Sequence, residues 1–421
     1  MREIWELQQM QSLPLSAKIQ MTRSRVKKWI DTFGEDKVYI SFSGGKDSTV
    51  LLDLVRNEFG YKDIKAMFVD VPTQYPELRQ FVKTFDNVDI VQPKINFFQV
   101  CEKYGFPLFS KEISECVQGA RKYLTSILNE QESLTDRQTD RPYRYWYERV
   151  QGIGNYTKVH ASMEQTPRNI PSRGGMTQSI EDYKELASLL NERKKNRSGG
   201  NNQRLAIMLG MFAENGEIKA NIPSKDRSQF SLEAYKFMLD APFEISNKCC
   251  NIMKKNPAHR YAKETGRKPI TAQMASESRL RTQVWLRNGC NAFEVKNPIS
   301  NPMSFWTEQD VLRYIKDKGI KICSVYGEVV TDDEEIGQMQ LSDYAGMELF
   351  DLGQQCLHCT GCDRTGCVLC GFGAHLDDRF VRLRETHPKM YALLDKATNS
   401  GYTMRQAIDW ISEHSNKIIK Y

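Results

Sequence analysis

The chain has 421 residues, 27% of them charged and 40% hydrophobic, with a formal net charge of +6. Those values suit a folded globule of two to four domains at ~100–200 residues each, and no apolar run reaches the ~18 residues of a membrane span. The opening stretch, MREIWELQQMQSLPLSAKIQ, has no signal-type apolar core, so a cytoplasmic location is expected. The mild positive excess fits an anionic substrate and permits a nucleic-acid partner without requiring one. Eleven cysteines in a reducing compartment point to metal or sulfur chemistry rather than to disulfides.

In chain order, KVYISFS reads as a buried strand and DSTVLLDLVRNEFG as a helix with an acidic first turn and a glycine stop. IKAMFVD is a second strand ending at Asp70, PELRQFVKTF a helix opened by Pro76, and NVDIVQP a third strand. Strands alternating with helices predict an α/β fold: a parallel, twisted sheet with helices on both faces. Such sheets bind ligands at the carboxyl ends of their strands. From about residue 123 to 240 the pattern loosens into a partly helical insertion. Strand-and-helix character returns near Ser246, and SFWTEQDVLRYIKDKG is a helix with Thr307 as N-cap. Trp306 is expected in the core. A cysteine-rich segment over 356–370 and a helical tail follow. The expected divisions are 1–122, 123–240, 241–350 and 351–421.

The turn between first strand and first helix, Ser43-Gly44-Gly45-Lys46-Asp47-Ser48, is a phosphate cradle on physical grounds. Two glycines leave inward-pointing N–H groups unobstructed, and the following helix adds its positive end. Lys46 supplies a cation, and Ser43 and Ser48 supply hydroxyls. It is not a Walker A loop, because Ile40 and Asp47 stand where that pattern needs Gly and Ser/Thr. An acidic residue in an anion site calls for a shared cation such as Mg²⁺.

SFSGGKDS resembles the signature of the PP-loop ATP pyrophosphatases, and its surroundings resemble the phosphoadenylyl-sulfate (PAPS) reductase branch. FVDVPTQYPEL, YGFPLFSKEISE, MASESRLRTQ and NPISNPMSFWTEQDVLRYI resemble further segments of that family. The resemblance covers roughly residues 20–120 and 240–375. It implies that 1–122 and 241–350 are two parts of one adenine-nucleotide domain binding ATP, adenylyl sulfate or PAPS with Mg²⁺. Lys46, Asp47 and Arg279 would carry catalysis. Asp70, Lys111 and Arg281 would join Ser43–Ser48 in holding the nucleotide. The bland alternatives are a strand-end turn for Asp70, a solvated lysine for Lys111, and a surface pairing of one arginine with Glu277.

The run CLHCTGCDRTGCVLC places Cys356, Cys359, Cys362, Cys367 and Cys370 within one loop, a density that suits zinc or an iron–sulfur cluster. By resemblance to adenylyl-sulfate reductases, Cys249, Cys250, Cys367 and Cys370 would bind a [4Fe–4S] cluster. Cys356, Cys359 and Cys362, with His358, would then complete a zinc site or serve as alternative ligands. The competing arrangement is a zinc knuckle of Cys356, Cys359, Cys362 and Cys367. Reductases of the family use a cysteine near the C-terminus to attack sulfur, and here no cysteine follows Cys370.

The insertion interleaves Arg141, Arg144 and Arg149 with Tyr143, Tyr145, Trp146 and Tyr147. That pattern suits stacking on single-stranded nucleic acid or an amphipathic packing segment, which leaves tRNA or DNA open as a partner. Three functions follow: a PP-loop enzyme joining nucleotide chemistry to a small sulfur substrate, a nucleotide-binding regulator without turnover, or a nucleic-acid-modifying sulfurtransferase component. Oligomerisation is left open.

Overall fold

The computed structural model describes residues 2–132, 180–192, 201–214, 217–219, 232–331, 356–415 and 419–421. The aromatic–basic run of 141–149 lies outside them. The chain divides into two compact units: Met1–Phe97 with Cys250–Val368, and Phe98–Cys249 with Leu369–Tyr421. Among the described residues no helix is long and apolar enough to cross a membrane.

The first unit is built on a six-stranded sheet. Its strands are β1 (Val38–Ser41), β2 (Ala66–Val69), β3 (Val88–Val91), β4 (Lys268–Ile270), β5 (Asn291–Ala292) and β6 (Ile299–Ser300), in the spatial order β3-β2-β1-β4-β6-β5. All neighbours are parallel except β5 with β6. The chain builds outward from β1 through β2 to β3, then resumes on the other side with β4. The order therefore reverses beside β1, the place where a crevice opens at the strands' carboxyl ends.

Side-chain alternation explains why helices cover both faces. Val38 and Ile40 of β1 and Ala66 and Phe68 of β2 join one core with Val26 and Trp29 of α1 (Leu15–Phe33). Val50, Leu51 and Leu54, on and just after α2 (Lys46–Asp53), belong to the same core. Tyr39 and Met67 point the opposite way, against Tyr261 of α4 (Asn256–Thr265). Tyr39 and Tyr261 meet edge to face, with centroids 5.1 Å apart. As its sequence suggests, α3 (Pro76–Val82) starts on a proline, whose missing N–H costs nothing at that position.

The helix read from WTEQDVLRYIKDKG is α6 (Glu308–Lys318), preceded by α5 (Arg279–Asn288). Its N-terminus is a full capping box. Thr307 Oγ1 accepts from the Asp310 N–H at 3.3 Å, and the Thr307 N–H donates to Asp310 Oδ2 at 2.7 Å. Gly319 ends it in the left-handed conformation. Asp310 also receives Lys18 Nζ of α1 at 2.8 and 2.6 Å on its two oxygens. Trp306 is fully buried and donates its indole N–H to Thr22 Oγ1 at 2.9 Å. The capping geometry and these two α1 contacts fix where Glu308 begins the helix.

The second unit is mainly helical. Helix Lys111–Glu132 packs against Asn201–Met208. A short parallel pair joins Leu108–Phe109 to Gly371–Phe372. The last helix, Met404–His414, is capped by Thr403 and sends Trp410 against Phe237 and Phe243.

Candidate functional site

The glycine turn leaves the carboxyl end of β1 and closes against α3. Gly44 has φ +73°, and a Cβ there would stand 2.8 Å from Val82 Cγ2 and 3.0 Å from Leu78 Cδ1. Both the left-handed backbone and the crowding exclude any other residue. Gly44→Ala is expected to destabilise the first unit by at least 1–2 kcal/mol, roughly the left-handed penalty alone, and to abolish nucleotide binding. Thermal unfolding with and without nucleotide checks both effects.

The serines hold the turn together. The hydroxyls of Ser43 and Ser48 lie 3.0 Å apart, the Ser43 N–H donates to Ser48 Oγ at 3.1 Å, and Ser48 Oγ donates to the Gly45 carbonyl at 2.9 Å. The Gly45 N–H donates to Ser43 Oγ at 3.3 Å, and the Lys46 N–H to the Tyr326 hydroxyl at 3.2 Å. Tyr326 in turn lies 2.7 Å from Thr365 Oγ1. Burial above all pushes the Tyr326 phenol up to about 12, although its hydrogen bonds to Thr365 and Lys46 oppose that. It therefore stays a neutral hydroxyl at ordinary pH.

Lys46 is only 5% exposed. Its Nζ donates to Glu308 Oε1 at 2.6 Å and to the Asp363 carbonyl at 2.7 Å, and it lies 5.6 Å from the Tyr326 ring centroid. Beside it, Asp47 Oδ1 is buried and has no hydrogen-bond partner. Burial raises the pKa of the Asp47 carboxyl and Glu308 adds to that, while Lys46, Arg364 and Arg281 pull it back. A buried carboxylate oxygen without a partner is costly to keep. A hard cation would satisfy it, so the residue fits Mg²⁺.

The predicted ligands of the nucleotide divide. Arg281 interacts electrostatically with Asp47 and Arg364, is desolvated by burial, and is paired with Glu277. Arg279, at the first position of α5, is exposed. Asp70 is bound by Arg79 through Nε at 2.5 Å and NH2 at 2.8 Å, and by Gln92 at 3.2 Å. Its carboxylate thus already has partners, one on α3 and one just past β3. Lys111 is exposed at the start of its helix in the second unit.

The cysteine-rich segment is stitched into the first unit up to Val368. Leu357–Cys359 pairs antiparallel with Val329–Thr331. The N–H groups of Gly361 and Cys362 donate to the carbonyls of Tyr326 and Val325, each at 2.8 Å, and the Val368 N–H donates to the Thr73 carbonyl at 2.8 Å. Cys359 and Cys362 are buried, Cys367 and Cys370 half-buried, and Cys356 exposed. Cys362 Sγ lies 3.6 Å from the Tyr75 hydroxyl. The division between units falls between Cys249 and Cys250 and again between Cys367 and Cys370. Among the described residues no three His, Cys, Asp or Glu side chains are gathered as a metal-ligand group. The thiols have the right chemistry for zinc or iron.

Sequence reasoning missed Glu308, Tyr326, Asp363, Arg364 and Thr365 as neighbours of the turn. Glu308 looked like a first-turn acid of α6, and residues 363–365 like spacers between cysteines. No local signal marks Tyr326.

A strand order that reverses beside β1, a serine-stitched glycine turn, a buried lysine and an unpartnered Asp47 oxygen describe a nucleotide-binding α/β fold. A family model described as "phosphoadenosine phosphosulfate reductase domain" matches residues 37–208 and 217–371. The chain belongs to this family. A solved phosphoadenylyl-sulfate reductase from Candida auris, in a phosphate complex, aligns at 12% identity over 76% of this chain and 86% of that one. Its TM-score is 0.30.

Proposed function

We propose that this chain is a PP-loop enzyme that binds ATP or an adenylyl sulfate at Ser43–Ser48 with Mg²⁺ and couples its turnover to sulfur chemistry on a small substrate. The observation that carries the reading is the buried, unpartnered Asp47 oxygen next to a buried lysine in a glycine turn. The unpartnered Asp47 oxygen does nothing for folding, and beside a lysine in a glycine turn it suits a metal-bound polyphosphate.

The loop's own residues define what happens to such a ligand. The N–H groups of Gly45 and Lys46 now donate to hydroxyls, and phosphate oxygens are stronger acceptors for the same donors. Lys46 is held by Glu308 and Asp363, and a phosphate within reach would compete for it. If ATP is the substrate, an acceptor oxygen attacks the α-phosphorus and pyrophosphate leaves, taking the bond electrons. Lys46, the loop amides and Arg281 would stabilise the charge that develops on the leaving group. Mg²⁺ on Asp47 would neutralise part of the same charge.

Lys46→Ala is expected to lower nucleotide turnover by 10² or more while leaving the fold intact, measured as pyrophosphate or AMP release. Wild-type protein that releases neither product with any acceptor would overturn the enzyme reading. The existing pairing of Lys46 favours one alternative, a nucleotide-responsive regulator without turnover. Calorimetric binding without product formation would identify it.

The second part of the proposal is a metal on the cysteines, either a [4Fe–4S] cluster on Cys249, Cys250, Cys367 and Cys370 or zinc on the 356–367 thiols. Thiol density supports it. Iron, zinc and labile-sulfide analysis after anaerobic purification distinguishes the two, and protein containing none of them rules out both.

A further inference from the structure

We infer that the cysteine-rich segment forms a wall of the nucleotide site, and that Arg364 binds the ligand's phosphates. This deepens the proposed function and rests on it.

The segment 363–365 reaches the glycine turn at three consecutive residues. The Asp363 carbonyl accepts from Lys46 Nζ at 2.7 Å. Thr365 Oγ1 lies 2.7 Å from the Tyr326 hydroxyl that receives the Lys46 N–H. A Cβ on Gly45 would approach Thr365 Oγ1 to 3.3 Å. Behind this clasp, a cavity of about 290 Å³ is lined by Lys46, Glu308, His358, Cys359, Asp363 and Arg364. Arg364 is exposed, so its guanidinium is available to a ligand entering beside Lys46.

Charge supports the assignment. Arg364 and Arg281 both act on Asp47, and they repel each other. Lys46 is already paired with Glu308 and Arg281 with Glu277, so Arg364 is the cation acting on Asp47 that has no ion pair among the described residues, and its charge is open to an anionic ligand. A planar guanidinium bonds two phosphate oxygens at once. The ligand class is a magnesium-bound diphosphate, whether the β,γ end of a nucleoside triphosphate or free pyrophosphate. The backbone clasp sets where Arg364 stands, so the spacing Cys362-Asp-Arg-Thr-Gly-Cys367 serves the nucleotide as well as the thiols.

The test is calorimetric titration of the full chain with ATP, and separately with pyrophosphate, each with Mg²⁺. Arg364→Ala should weaken both about 10- to 100-fold, the range for charge-assisted hydrogen bonds. Arg364→Lys should restore part of the loss. Lys263→Ala, which removes one charge from an exposed site on α4, should change neither. Weakening of ATP alone would place Arg364 on the nucleoside and overturn the diphosphate assignment. Equal binding by Arg364→Ala and wild type, with unchanged circular dichroism, overturns the inference while leaving the nucleotide site standing. Wild type that binds neither ligand overturns this inference and leaves the proposed function only its adenylyl sulfate form, which titration with adenylyl sulfate then tests.

Discussion

Replacing Asp47 with Asn will abolish nucleotide turnover and raise the thermal stability of the ligand-free protein. The substitution is nearly isosteric and removes a charge from a position where one carboxylate oxygen is buried without a partner. Burial favours the neutral acid there, and the cations Lys46, Arg364 and Arg281 offset that only in part. Relief of such a functional-site cost is on the order of 1 kcal/mol, or a few degrees in Tm. The sign fixes the pH dependence. Because the folded-state pKa is raised, the carboxyl costs nothing below the ordinary carboxylate range, where folded and unfolded chains are both protonated. As pH rises through the raised value, the wild type loses that stability while the variant does not. Melting curves from acid to neutral pH should therefore start together and separate. A variant less stable than wild type at neutral pH would show that the three cations outweigh desolvation.

The largest structural effect is expected from Lys18→Met. Lys18 and Asp310 form a doubly bonded ion pair whose side chains are 3% and 12% exposed. Removing one partner of a buried pair leaves the other charge uncompensated, which costs about 3–5 kcal/mol. Here the figure should fall at the low end, because Asp310 keeps its bonds to the Thr307 N–H and hydroxyl. The loss should be nearly independent of salt. Lys27→Met, which breaks the exposed Lys27–Asp31 pair of the same helix, should alter stability little and in a salt-sensitive way. Hydrogen exchange should localise the Lys18 effect to α1 and α6. An equally small change in both variants would mean that the Lys18 pair is solvated in solution.

The parts of the fold set by local pattern were readable in the sequence. The apolar runs of β1 to β3, the proline opening α3 and the Thr307 cap of α6 each follow from neighbouring residues. The glycine turn was readable for the same reason. What could not be read was brought in from elsewhere in the chain. Tyr326 and Thr365 reach Gly45 and Lys46 from about 280 and 320 positions away, and nothing in their own surroundings announces it. Asp70 stood where a ligand contact was expected, but an arginine nine residues on holds it. Of the two arginines, Arg279 was the first choice from the sequence and Arg281 the second; in the structure Arg279 is exposed, and it is Arg281 that interacts electrostatically with Asp47.

The placement of β1 has a consequence for how the protein is made. One flank of β1 is filled by β2 within some 30 positions, but the other waits for β4, about 230 positions further on. At ribosomal speeds of ~5–20 residues per second, that wait lasts roughly 10–50 s. Throughout it, the nascent chain carries a short apolar ribbon, VYIS, with unpaired backbone along one side, the kind of edge that invites association with other chains. The same late-arriving neighbour that opens the ligand crevice thus makes biosynthesis the stage at which this protein is most exposed to misassembly.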